Sequence, residues 1–252
     1  GYGDVQNLCD QPGEEPKNLP TVDVGGPVRA IAAGYSNTCA ILTSGSVKCW
    51  GHGGIGLLGL GFDAGIVGDD ETPASVEPIQ LSGGPVSSVA VQGRQACALH
   101  ENGTISCWGE AGPWLGYGAA LDTIGVGLGD DEHPSLLGTV DVEKATQIVV
   151  GDAFSCALLE NGTVKCWGAS IYGQLGYGST DFVGYKQTPS QVGALELGGP
   201  ALSLVAGWDH ACALLVDQSI RCWGRANVLG YGIMQNVGDD ETPADAGPVP
   251  VI

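Results

Sequence analysis

Apolar and polar positions alternate along this chain in short runs, and the runs return in a fixed order. Val28-Arg29-Ala30-Ile31-Ala32-Ala33-Gly34 reads as a strand with alternating apolar positions. A second run follows at Cys39-Ala40-Ile41-Leu42, then a polar turn, then a third run ending in Cys49-Trp50-Gly51. Two apolar runs flanking a short polar turn predict a β-hairpin. The hairpin recurs as Cys97 to Cys107-Trp108-Gly109, Cys156 to Cys166-Trp167-Gly168, and Cys212 to Cys222-Trp223-Gly224. Its loop is three residues long: Thr43-Ser44-Gly45, Glu101-Asn102-Gly103, Glu160-Asn161-Gly162. A type I turn closing on a left-handed residue fits, with glycine last because it takes that conformation without strain. The fourth loop, Val216-Asp217-Gln218, lacks the glycine, so mild strain or a wider turn is expected there.

An odd-length loop sets the two cysteines of each hairpin opposite each other, at the roughly 4.5–5.5 Å Cα separation a disulfide tolerates. Four bridges are therefore expected: Cys39–Cys49, Cys97–Cys107, Cys156–Cys166 and Cys212–Cys222. Each closes a loop of about eleven residues, a stabilisation of about 3 kcal/mol in the chain-entropy model. Zinc is the competing explanation of paired cysteines, but its structural sites favour short Cys-x-x-Cys knuckles, which do not occur here.

The hairpins start at 39, 97, 156 and 212, which makes them 58, 59 and 56 residues apart. A fixed period of this size means a propeller or a solenoid. Val86 to Ala90, Gln147 to Val150 and Leu202 to Ala206 open the later units as Val28 opens the first. A glycine-rich passage follows each hairpin. Next comes an acidic loop: Gly68-Asp69-Asp70-Glu71-Thr72-Pro73, Gly129-Asp130-Asp131-Glu132-His133-Pro134 and Gly238-Asp239-Asp240-Glu241-Thr242-Pro243. The third unit has Val183 to Pro189 in that place, without the acids. Ile79-Gln80-Leu81 is expected as a short fourth strand, and four short strands make a propeller blade. Gly1-Tyr2-Gly3 matches Gly230-Tyr231-Gly232, and 21–26 matches 79–84. The expectation is an all-β propeller or propeller arc forming one domain over 1–252, with a partial repeat at 1–27 and full repeats at 28–85, 86–146, 147–200 and 201–252. Because the chain starts with Gly1 and not Met, it is expected to be a processed or excised piece.

The motifs Cys-Ala-Leu, Cys-Trp-Gly and Gly173-Gln174-Leu175-Gly176-Tyr177-Gly178 resemble the repeats of the regulator of chromosome condensation family. The paired cysteines and acidic loops are similar to its bacterial secreted or surface members. The resemblance implies a β-propeller, usually of seven blades, which at this period needs about 400 residues. It also implies functions as unlike as nucleotide exchange on small GTPases, chromatin binding and β-lactamase inhibition, among which fold cannot choose.

Composition narrows that field. Forty-three glycines and fourteen prolines in 252 residues suit a turn-rich β protein. The net charge of −19, with nine lysines and arginines, repels phosphate backbones and argues against nucleic acid. Nothing approaches the roughly eighteen apolar residues of a membrane span. Four disulfides point to an oxidising compartment: periplasm, cell surface or medium.

Among candidate sites, Asp69, Asp70, Glu71, Asp130, Asp131, Glu132, Asp239, Asp240 and Glu241 could give oxygens to calcium, which takes about six to eight. Adjacent side chains diverge, so another loop would have to help; the alternative is a set of solvated turns, and no cofactor is required. Trp50, Trp108, Trp167 and Trp223 recur at one strand position and are expected as fillers between blades, not as a sugar-binding shelf. Trp114 and Trp208 stand outside that register and, if exposed, are candidates for a partner-binding surface. Asn102-Gly103-Thr104 and Asn161-Gly162-Thr163 fit the glycosylation pattern, but the turn already accounts for Asn-Gly. His52, His100, His133 and His210 fall at non-equivalent positions, without a recognisable triad or metal motif. Cys9 is the odd cysteine, open to an interchain bridge or a free thiol. The expected function is a non-catalytic structural or protein-interaction module, self-assembling through the apolar faces of its end blades. An enzyme or enzyme inhibitor with its site on one propeller face is the alternative.

Overall fold

The computed structural model describes residues 2, 3, 13, 15–62, 64–118, 133–232 and 234–250. In the first unit β1 (Val28–Ala33), β2 (Asn37–Leu42), β3 (Val47–His52) and β4 (Ile66–Val67) form one antiparallel sheet in that order. The second unit has β5 (Val86–Gln92), β6 (Gln95–His100) and β7 (Ile105–Gly109); the third has β8 (Ala145–Val150), β9 (Phe154–Leu159) and β10 (Val164–Gly168). The fourth has β11 (Ala201–Ala206), β12 (His210–Leu215), β13 (Ile220–Gly224) and a one-turn helix, α1 (Pro243–Ala246). We call these sheets blades 1 to 4.

The expected register holds in every blade. Cys39 pairs with Cys49, Cys97 with Cys107, Cys156 with Cys166 and Cys212 with Cys222. All four disulfides are formed, with Cα separations of 4.0 to 4.1 Å. The opening strand of each blade carries an irregularity at the same place, between Val28 and Ala30 and at its three counterparts. The hairpin turns close on Gly45, Gly103 and Gly162 at φ +85°, +83° and +81°. In blade 4 the turn does not widen: Gln218 adopts φ +70° at the glycine's position. The first half of the expectation, strain, is what the backbone shows.

The fourth strand differs from its expected place. It is Ile66–Val67, pairing with Gly51 and His52, while Ile79–Leu81 is no strand. Ile79 N donates a single bond to Val47 O, and Pro78 before it has no N–H to extend a ladder. In blades 3 and 4 the fourth strand shrinks to single bridges, Gly168 with Val183 and Gly224 with Val237. A tyrosine hydroxyl works along the same edge: Tyr177 Oη accepts from Cys166 N at 3.0 Å and donates to Cys166 O at 3.1 Å. Tyr117 does the same at Cys107, and Tyr231 at Cys222.

Blades pack face to face around two adjoining apolar clusters. Trp108, Trp167 and Trp223 are fully buried between blades, as expected for fillers, while Trp50 is only partly buried. Trp108 Nε1 donates to Leu57 O and Trp223 Nε1 to Gln174 O, each in the preceding blade. The glycine two residues on, Gly59 or Gly176, lies flat under the indole: a Cβ there would sit 3.0 Å from the ring. The loops at the acidic place in the third and fourth units dock on the preceding unit's Gly-Tyr-Gly, since Gly118 N donates to Gly184 O and Gly178 N to Gly238 O. The N-terminal segment repeats this on blade 1, through Gly3 N to Gly68 O and Ala74 N to Asp23 O.

Candidate functional site

Antiparallel pairing sorts the loops onto two faces. Hairpin tips 43–46, 101–104, 160–163 and 216–219 lie at one end of the sheets, and the turns between first and second strands lie at the other. The tips are polar and internally satisfied. Asn102 Oδ1 accepts from Thr104 N and Oγ1, Asn161 Oδ1 from Thr163, and Asp217 Oδ1 from Ser219.

The opposite face is aromatic. Its four inner turns place Tyr35, Gly93, Asp152 and Trp208 at equivalent positions around the axis. Backbone bonds link neighbouring turns: Arg94 N donates to Asp152 O at 3.3 Å, and Asp152 N to Trp208 O at 2.9 Å. Tyr35 and Trp208 meet edge to face with ring centroids 5.6 Å apart, although they belong to the first and last blades. Both stay exposed, Tyr35 at 79% and Trp208 at 44%. Arg94 pairs with Glu110 at 2.8 Å and Asp152 at 3.7 Å, and its guanidinium lies 5.8 Å from the Trp114 ring centre. Arg225 pairs with Asp209 at 3.2 Å and stacks 5.0 Å from Tyr172. Burial raises the Asp152 carboxyl above its ordinary value, against the pull of Arg94. Every carboxylate of this constellation is tied to an arginine, so the face offers aromatic and arginine contacts and not a free acid beside a free base.

Trp208 is thus exposed, as a partner surface requires. Trp114 is half-buried, its Nε1 donating to Glu110 O at 2.7 Å, and acts as the platform for Arg94. Tyr35, Tyr172 and the two arginines carry no sequence signal of their own; only their repeat positions, once aligned, place them beside Trp208.

The acidic loops depart from expectation in one respect. Carboxylates of Asp69, Asp70 and Glu71 do not diverge but lie within 4.8 Å of one another, as do those of Asp239, Asp240 and Glu241. Crowding raises the Glu71 carboxyl, chiefly through its hydrogen bond with Asp70 and then burial. Burial first, then Asp240 and Asp239, pushes Glu241 up to about 7. Among the described residues, no further His, Cys, Asp or Glu joins either triad. Three carboxylates are about half of what calcium takes, so the clusters alone assign no metal. Asp130, Asp131, Glu132 and Cys9 lie outside the described residues.

The histidines are dispersed. His100 is buried, with Nδ1 against Gly84 O and Nε2 against Ser106 Oγ, and burial lowers its pKa. His52 Nδ1 accepts from Gly54 N, and His133 Nε2 faces Gln80. His210, half-buried, sits under the fourth inner turn with its pKa lowered by burial.

Family comparison agrees with this architecture. A model described as regulator of chromosome condensation (RCC1) repeat matches residues 28–54, 145–174 and 202–230, and a second of that description matches 161–214. These are RCC1 repeats. The human E3 ubiquitin-protein ligase HERC2 is 30% identical over 230 residues, covering 89% of this chain and 4% of that protein. The ultraviolet-B receptor UVR8 of Arabidopsis thaliana is 28% identical over 215 residues, 83% of this chain and 44% of the receptor. The chain therefore spans less than half of either relative. Human WBSCR16 superposes with a TM-score of 0.69 at 19% identity, over 99% of this chain and 60% of that one. Yeast RCC1 (Prp20), solved bound to Kap60, gives 0.60 at 21% identity, over 85% and 48%. Such identities carry the fold alone, and the fold is the β-propeller. Among the described residues no helix is long and apolar enough to cross a membrane.

Proposed function

We propose that this chain is a non-catalytic protein-interaction module of an oxidising compartment, secreted or at a cell surface, which engages a protein partner through its aromatic face and associates through its end blades. The observation that carries the partner reading is the exposed Tyr35–Trp208 pair, flanked by Arg94 and Arg225. Tyr, Trp and Arg are the residues that dominate binding energy at protein interfaces. Four disulfides support the compartment. The net charge of −19 supports a protein partner over nucleic acid. Dispersed histidines and arginine-paired carboxylates support binding without catalysis. The yeast relative, solved with Kap60, engages a protein too.

A photo-crosslinking residue placed at position 208, and separately at hairpin-tip position 217, tests the face. In native medium, protein crosslinks are expected from 208 and not from 217, and Trp208→Ala with Tyr35→Ala should abolish capture while leaving thermal stability unchanged. Equal crosslinking from both positions would refute it.

A further inference from the structure

Blade 2 departs from the other three at two core positions that touch each other. Leu42, Leu159 and Leu215 each pair with the first residue of their blade's opening strand, and all three are buried. Blade 2 has His100 there, opposite Val86 and 1% exposed. Directly before the second cysteine, Lys48, Lys165 and Arg221 give three blades a permanent cation, where blade 2 has Ser106. The two lysines pin the turn that follows the acidic place. Lys48 Nζ donates to Pro73 O and Ala74 O, and Lys165 Nζ to Ser190 O and the Glu143 carboxylate. Blade 2 has thus exchanged a leucine and a cation for a histidine and a serine, with His100 Nε2 2.9 Å from Ser106 Oγ.

The partners fix where the imidazole carries its hydrogen. Gly84 O, 2.7 Å from Nδ1, can only accept, so Nδ1 is the donor. Nε2 of the neutral ring is then an acceptor, and the Ser106 hydroxyl donates to it. That hydroxyl has one hydrogen and a second acceptor within reach, Gly138 O at 3.4 Å. A proton arriving at Nε2 reverses the bond: Nε2–H donates to Ser106 Oγ, and the hydroxyl turns to Gly138 O. We propose that His100 and Ser106 form a pH-sensitive clasp, which holds the 83–85 linker and the 134–138 turn to blade 2 while the ring is neutral and loosens when it is charged. The inference goes beyond the interaction-module reading and does not rest on it.

Loosening follows from what surrounds the ring. A buried imidazolium needs a counter-charge or water. Gly83 lies flat against the ring, where a Cβ would sit 2.2 Å from Cδ2 and 2.3 Å from Nε2, so water has no place on that side. From β1, Arg29 donates to Val86 O and pairs with Glu101 at 3.4 Å. Lys144 and Glu160, from blade 3, line the groove alongside. These four are exposed, two of each sign, and none bonds to the imidazole among the described residues. His133 heads the 134–138 turn but faces Gln80. The charged ring is therefore hydrated only by opening the clasp, and burial accordingly lowers its pKa. The sign follows: the stabilisation is complete above the unfolded value of about 6.5 and is lost as the pH falls towards the folded value.

Hydrogen exchange of the full chain, disulfides intact, at pH about 7.5 and about 5, corrected for the intrinsic rate, tests the clasp. Acid should lower protection over 83–86 and 134–140, while 189–195, the turn pinned by Lys165, keeps its own. His100→Leu combined with Ser106→Lys restores the pair of the other blades and should abolish that difference. His133→Gln should leave it intact. Melting curves read the same effect, parent and double variant running parallel above about pH 7 and diverging below, tenfold in the folding constant per unit of pKa lowering. Should the double variant misfold, the His100 ring titration followed by NMR in the parent decides, since its midpoint must coincide with the loss of protection. Equal loss in both turns, persistence in the double variant, disappearance in His133→Gln, or a ring midpoint away from the loss of protection each overturns the proposal.

Discussion

Gln218→Gly should stabilise this protein, and the reason lies in one dihedral angle. Three hairpin turns close on glycine at φ +81° to +85°, and the fourth holds Gln218 at φ +70° with the same pair of bonds: Gln218 N to Leu215 O and Leu215 N to Ser219 O, both 2.9 Å. A non-glycine residue in the left-handed region costs about 1–3 kcal/mol. Glycine gives back about 0.4–1 kcal/mol through the greater freedom of its unfolded chain. The net gain is about 1 kcal/mol, which at a urea m-value of about 3 kcal/mol/M moves the midpoint up by about 0.3 M. Asp217 keeps its bonds to Ser219, so nothing else in the turn changes. Urea unfolding under non-reducing conditions, followed by tryptophan fluorescence, reads the shift. The reciprocal change, Gly162→Gln, should lower the midpoint by more, because a Cβ there also lies 3.0 Å from Pro200. An unchanged or lower midpoint in Gln218→Gly would refute the reasoning, since it would mean that the positive φ carries no cost in this turn.

Tyr177→Phe removes the hydroxyl that satisfies both Cys166 N and Cys166 O, and should cost about 1–3 kcal/mol in the same assay, because two buried backbone groups lose their partner. Glu241 gives a pH dependence. Its carboxyl is raised to about 7 in the fold from an ordinary 4.5, so the folded state holds a proton the unfolded state has lost. That contribution is complete below about pH 4.5 and disappears as the pH rises through about 7. Glu241→Gln should therefore match the parent in melting temperature at the acid end and exceed it at pH about 8; a constant difference across the range would contradict the sign. Limited thiol reduction followed by alkylation should label Cys212 and Cys222 first, because Cys212 is partly exposed while Cys39, Cys97 and Cys156 are fully buried.

Much of the fold was legible because it rests on local signals repeated four times. Cysteine spacing set the hairpin register, and the turn glycines set the loop type. Tryptophan after the second cysteine marked the interblade core. The fourth strand is not legible because Ile66–Val67 is two residues long, too short for a period to show, whereas Ile79 and Leu81 look like a strand. Their apolar side chains serve interblade packing, and Pro78 denies them a ladder. The face around Trp208 was legible only in Trp208 and Trp114. Tyr35 stands 173 residues from Trp208, and no short-range pattern announces a contact between the first and last blades.

The contrast between repeated and unrepeated positions is itself informative. Glycine precedes the inner turn residue in blades 1, 3 and 4, at Gly34, Gly151 and Gly207, and the strands on either side are alike in all four. Between them the four blades present tyrosine, glycine, aspartate and tryptophan. Positions that hold blades together must satisfy the same bonds each time, so they repeat. Positions facing solvent over the axis carry no such duty, and a stability argument predicts no large aromatic there. Two appear, on the two blades whose turns can meet across the opening, with arginines stacked on the aromatics beside them. Burying rings at a partner's surface gives such residues a use that the fold does not require, which is why the interaction face is sought where the repeat breaks and not where it is kept.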